Sequence, residues 1–114
     1  IELYEHAPVL FNDLDATERT RPALESAGMV LEPGPVTGSE DVGILATAAG
    51  VPLVFWLLGG APADLFEGAV TIDDFKAKMA QIPANHSPQY APAPDPTLEL
   101  GVRALVAAAR EWLG

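Results

Sequence analysis

Asn85-His86-Ser87-Pro88 is the stretch whose residue types most clearly invite chemistry. His86 offers an imidazole in a polar turn, suited to holding a metal ion or moving a proton near neutral pH. Upstream, Thr37-Gly38-Ser39-Glu40-Asp41 sets two carboxylates behind hydroxyls, a pattern that fits a general base or a helix cap. Between the two lies Gly59-Gly60, which bares backbone N–H groups after an apolar run. Each feature also has a plainer reading. A lone His before Ser-Pro is more often a hydrogen-bonded loop residue than a ligand. Carboxylates at a helix start complement its dipole, and Gly-Gly makes a turn. Ser87 lacks both the strand–turn–helix setting and the base that a serine nucleophile needs. His6 has no second ligand at metal spacing and reads as a solvated strand end.

These residues need elements to position them. Ile1 to Glu5 alternates apolar and polar, the pattern of a short half-buried strand. Asp15 and Glu18 resemble a capping box for a helix over residues 16–27, closed by Gly28 in the left-handed conformation. Pro22 conflicts with that helix unless it kinks there or starts near Thr20. Met29-Val30-Leu31 reads as a short strand before the rigid loop Glu32-Pro33-Gly34-Pro35. Ser39 is a good N-cap, with Glu40 and Asp41 in the first turn of a helix that Gly50 ends. That helix is apolar on nearly every side and is expected to be buried. Val51 to Leu58 is continuously apolar, the mark of a strand covered on both faces in a parallel sheet. Gly59-Gly60 then falls at the carboxyl end of this strand, where open α/β sheets place ligands. Thr71 caps a short helix over Ile72 to Met79. Asp95 caps the last helix, with Pro96 in first position and Leu98, Val102, Leu105, Val106, Ala109 and Leu113 on one stripe. The expected fold class is α/β: a partial, mostly parallel sheet flanked by helices, forming one domain over residues 1–114.

Composition narrows the function. The 114 residues include 6 Lys and Arg against 16 Asp and Glu, a formal charge of −10. Nucleic acid and anionic membrane surfaces, which need a basic patch, are poor partners. There is no cysteine, so disulfides, thiolate zinc sites and cysteine nucleophiles are excluded from this chain. The longest apolar run, Val51 to Leu58, is far shorter than the roughly 20 residues of a bilayer span. The start shows no leader pattern, and a cytoplasmic location is expected. Beginning on Ile1, the chain is expected to be part of a longer protein or to carry a processed terminus.

The order Gly38-Ser39-Glu40-Asp41, apolar helix, Gly50-Val51-Pro52 strand, Leu58-Gly59-Gly60, Asn85-His86-Ser87-Pro88 and a terminal amphipathic helix resembles the carboxyl-terminal part of the M20 metallopeptidase and amidohydrolase family. The aminoacylase and hippurate hydrolase subgroup is the nearest by motif. Val42 departs from the Phe that follows Gly-Ser-Glu-Asp there, and Asn12-Asp13 resembles the Asn-Asp after that family's inserted dimerisation domain. The resemblance implies a zinc-exopeptidase-like catalytic domain that hydrolyses the amide bond of N-acyl amino acids or small peptides. It implies that His86 is a ligand of a divalent metal site, zinc or else manganese or nickel. It implies that Gly38, Ser39, Glu40, Asp41, Gly59, Gly60 and Asn85 shape the substrate pocket. The family's other ligands and its catalytic glutamate belong to amino-terminal motifs that this chain lacks, so no catalytic residue is expected within it. By itself it is expected to be inactive, to hold no metal and to form homo-oligomers through uncovered apolar faces. The alternative is a free-standing acidic α/β binding module without catalysis; a third possibility is a regulatory relative that kept the fold alone.

Overall fold

The computed structural model describes residues 9–36, 38 and 40–114. The predicted strand at Ile1 to Glu5, His6, Thr37 and Ser39 lie outside them. The order of elements is α1 (Leu14–Ala27), α2 (Val42–Ala49), a 3-10 turn (Ala63–Phe66), α3 (Ile72–Met79) and α4 (Pro94–Leu113). No strand or sheet forms among the described residues. The expected α/β sheet is therefore corrected to a helical architecture. By backbone proximity the chain falls into two units, Ile1–Trp56 with Ala104–Gly114, and Leu57–Arg103.

The first unit is built on α1 and the end of α4. The N-cap of α1 is Asp13, not Asp15: its carboxylate accepts from the Ala16 N–H at 2.9 Å. Pro22 stays inside the helix, and Gly28 ends it in extended backbone (φ −179°) rather than in the left-handed form. The buried residues are small: Ala16, Thr20 and Ala27 on α1, with Ala104 and Ala108 on α4. Thr20 is 2% exposed. Its hydroxyl donates to the Ala16 carbonyl at 2.7 Å and accepts from Trp112 Nε1 at 3.0 Å. The Arg19 guanidinium lies over the Trp112 ring, 4.1 Å from its centroid, and pairs with Glu111 at 2.9 Å. A cation against an aromatic face and a satisfied buried hydroxyl join the two helices at this point.

Val51 to Trp56 is extended but unladdered. A strand needs a second extended segment beside it, and the polar groups of this run go elsewhere. The Leu53 carbonyl accepts from the Asp13 N–H at 2.9 Å. Asn12 clamps Phe55 at both ends: Nδ2 donates to its carbonyl at 2.8 Å, and Oδ1 accepts its N–H at 2.7 Å. The side-chain amide thus imitates one rung of a ladder. Without a sheet to cover, α2 buries none of its residues, and Leu45 is 70% exposed. That corrects the expectation of a buried helix. Met29-Val30-Leu31 likewise forms no strand. Gly50 ends α2 as foreseen, left-handed at φ 65° with its N–H on the Ala46 and Thr47 carbonyls.

The second unit holds the 3-10 turn and α3. Phe66 and Phe75 stack with ring centroids 5.5 Å apart, and Lys78 reaches the Leu65 carbonyl. The start of α3 is a full capping box: Thr71 accepts from the Asp74 N–H while Asp74 accepts from the Thr71 N–H. In α4, Asp95 leaves helical dihedrals (φ −106°, ψ 127°) just before Pro96. The stripe of large residues predicted for α4 faces solvent instead of a core. Leu98, Val102 and Leu105 are 69%, 62% and 61% exposed. The inward side carries small residues, and a Cβ at Gly101 would come within 2.9 Å of Leu58 Cδ2.

Candidate functional site

His86 occupies a turn closed by the Ser87 N–H on the Ala84 carbonyl at 3.0 Å. Its φ is 71°, the sole positive value at a non-glycine residue among those described. Left-handed backbone strains a side chain with a Cβ, although His enters that region more readily than most. The turn's inner positions, Asn85 and His86, are both exposed. A second turn follows at once, with the Tyr90 N–H on the Ser87 carbonyl. Ser87 is occupied structurally: its hydroxyl donates to Gln89 Oε1 at 2.9 Å and accepts the Gln89 N–H at 3.2 Å.

The second turn runs into the wall of an apolar cleft of about 140 Å³, lined by Gly60, Ala61, Pro62, Leu65, Ile82, Pro83 and Gln89 to Pro92. Gly60 allows a close approach there. A Cβ on it would come 3.1 Å from Pro92 Cβ, and its carbonyl accepts the Ala93 N–H at 2.8 Å. The structure therefore brings Gly60 against the chain that follows the His86 turn. Gly59 stands in open space.

Gly38, Glu40 and Asp41 belong to the first unit, while Gly59, Gly60, Asn85 and His86 belong to the second. Asp41 holds the N-cap position of α2, with no side-chain hydrogen bond to the helix. Glu40 consequently precedes the helix instead of lying in its first turn. Both carboxylates are exposed, and Gly38 has nothing within 4 Å of a built Cβ.

No family model matches the chain, and no solved structure matches it.

The donor set can be tested against the metal implied by the sequence resemblance. Among the described residues, no group of three or more His, Asp or Glu side chains stands together. A catalytic zinc takes at least three protein ligands. The single imidazole of His86 does not make that site within these residues. The cleft beside it was not foreseen in the sequence. Its signal was the clustering of Pro83, Pro88 and Pro92 with Ile82 and Tyr90, which read only as an extended loop.

Proposed function

We propose that this chain is one part of a metal-dependent amidohydrolase acting on N-acyl amino acids or small peptides. His86 supplies one donor, and the remaining donors and the catalytic carboxylate lie outside these 114 residues. The observation that carries this is the exposed, left-handed backbone of His86 at a turn flanked by an apolar cleft. A turn residue with φ 71° is best served by glycine or asparagine. An imidazole at that strained position supports a use for its ring. The motif order from Gly38-Ser39-Glu40-Asp41 to His86-Ser87-Pro88 supports the same assignment. Within it, Gly38, Ser39, Glu40, Asp41, Gly59, Gly60 and Asn85 are pocket residues around the substrate. A cytoplasmic location belongs to the same proposal.

No helix among the described residues is long and apolar enough to cross a membrane. Exposed Leu98, Val102 and Leu105 on α4 and Leu45 on α2 support contact with further protein, either the rest of the enzyme or a second copy. The test is hydrolysis by the product of the whole reading frame that encodes the chain, with and without added zinc or manganese. Benzoyl-glycine and acetyl-amino acids serve as substrates, and His86→Ala as the control. The expected result is metal-dependent amide cleavage that the substitution abolishes. Cleavage untouched by His86→Ala would remove His86 from the site.

A further inference from the structure

We propose that the extended run Pro52 to Trp56 is an open strand edge that pairs antiparallel with the same run in a second copy of the chain. In an extended segment, the backbone N–H and C=O groups of successive residues point to opposite edges. One edge here is filled. The Val51 N–H bonds the Ala46 carbonyl at 3.1 Å, and the Leu53 carbonyl accepts the Asp13 N–H at 2.9 Å. Asn12 takes both polar groups of Phe55. All of these residues lie in the first unit. The other edge carries the Pro52 carbonyl, the Val54 N–H and carbonyl, and the Trp56 N–H. Among the described residues none of these has a hydrogen-bond partner. Unpaired backbone groups cost about as much as a lost hydrogen bond unless water or another backbone meets them.

The edge is self-complementary. About a two-fold axis at Val54, each copy's Val54 N–H donates to the other's Val54 carbonyl, and each Trp56 N–H donates to the other's Pro52 carbonyl. The missing N–H of Pro52 then falls at the end of the ladder, where it breaks no inner rung. Leu53 comes opposite Phe55, an aliphatic–aromatic cross-strand pair. Charge selects a second copy meeting here. The chain has a formal charge of −10, so two copies repel over most of their surface. Val42 to Ala63 holds no charged residue, so this run meets its twin without setting like charges face to face. Uncharged apolar runs of β-branched and aromatic residues are also the ones that pair with themselves. The strand that Val51 to Trp56 does not complete within one chain is completed between two. Nothing in this pairing depends on the amidohydrolase reading.

The chain has no cysteine, so a single introduced thiol reports on its own neighbourhood. In this register the two Val54 Cα atoms lie about 5.5 Å apart, inside the roughly 4.4–6.8 Å that a disulfide spans. Under mild oxidation of the 114-residue chain, Val54→Cys is expected to form a covalent dimer about tenfold faster or more than Val70→Cys, at an 86% exposed position in the second unit. Light scattering gives a second arm. Val54→Lys and Val54→Glu are each expected to abolish the concentration-dependent rise in mass expected of the parent. Their equimolar mixture is expected to restore it, because opposite charges then face one another across the pair; mixing does not rescue a variant that has misfolded. Val54→Cys that oxidises no faster than Val70→Cys overturns the pairing. So does a parent that stays monomeric, a mixture that stays monomeric, or charged variants that associate as the parent does. Protection of the Val54 and Trp56 amides that is independent of protein concentration and lost on removing residues 1–8 assigns the edge to the chain's own amino-terminal segment and overturns it too.

Discussion

The joint between α1 and α4 makes a quantitative prediction at Thr20. Its side chain is 2% exposed and its hydroxyl both donates and accepts, to the Ala16 carbonyl and from Trp112 Nε1. Thr20→Val keeps the β-branched shape and removes both bonds. The bond to Ala16 is local to the helix, and its loss costs little. The bond from Trp112 spans 92 residues of sequence and is part-buried, so its loss carries most of the effect. A net hydrogen bond contributes about 0.5–1.5 kcal/mol, and the methyl that replaces the hydroxyl recovers some of this. The expected destabilisation is about 1 kcal/mol, or a fall in Tm of roughly 4–8 °C for a small domain. Thr20→Ala also removes a buried methyl and is expected to cost about 1 kcal/mol more. Thr20→Ser keeps the hydroxyl and isolates the methyl. Urea unfolding followed by tryptophan fluorescence measures all three, and the emission of Trp112 reports its own hydrogen bond. If Thr20→Val were as stable as wild type with Trp112 emission unshifted, the joint would not be held through this hydroxyl.

Other consequences are open to direct test. Asn12→Ala should lose the two-point clamp on Phe55 and destabilise the first unit by about 1–2 kcal/mol, with Asn12→Asp intermediate; urea midpoints with Trp56 as reporter decide it. Thr71→Ala should fray α3 at a cost of about 1 kcal/mol, seen as faster amide exchange over Ile72 to Phe75. Backbone hydrogen bonds from Thr71 and Val70 hold the Asp74 carboxyl below its ordinary value of 3.8. Its contribution to the cap is therefore present above pH 3.8 and lost as pH falls through the lower folded value; the Thr71 amide shift should titrate in that range and stay flat in Asp74→Asn. His86→Gly should be neutral or stabilising by up to about 1 kcal/mol, while His86→Val should destabilise, since φ 71° suits only the first. Changing Leu98, Val102 and Leu105 together to Glu should reduce self-association in solution scattering without loss of helicity.

What could be read in the sequence was what is decided within a few residues. Thr71 with Asp74 names its own helix start, and Gly50 its own helix end, because caps are local hydrogen bonds. The bounds of α3 were legible for that reason. The first turn of α1 was off by two residues because Asp13 and Asp15 are chemically equivalent caps, and only the chain's approach chooses between them. The sheet failed for a non-local reason. Continuous apolarity in Val51 to Leu58 reports a preference for burial, but a strand also needs a partner at ladder distance. Here the Asn12 amide takes the Phe55 positions instead. The α4 stripe failed because size was taken for inwardness. Ala104 and Ala108 are buried while Leu105 and Val102 are not. Of the site, the His86 turn was legible from Asn-His-Ser-Pro. The cleft was not, because Gly60 and Pro92 meet only in three dimensions.

These exposed apolar residues bear on function through the same physics. Each large aliphatic side chain left in water forgoes about 1.5–3 kcal/mol of burial. Leu45, Leu98, Val102 and Leu105 alone leave a sum comparable to the whole stability of a typical small domain. Under the proposed function, apolar side chains left this exposed are covered by further protein. Two occupants are open to them: further parts of the proposed enzyme, or another copy. They differ in what they do to His86. A second copy covering α4 leaves the imidazole as exposed and as alone as it is here. In the proposed enzyme, the parts that cover the same faces also bring donors to His86. Metal affinity that rises only when the whole reading frame is expressed therefore selects the first occupant, and self-association without such a rise selects the second.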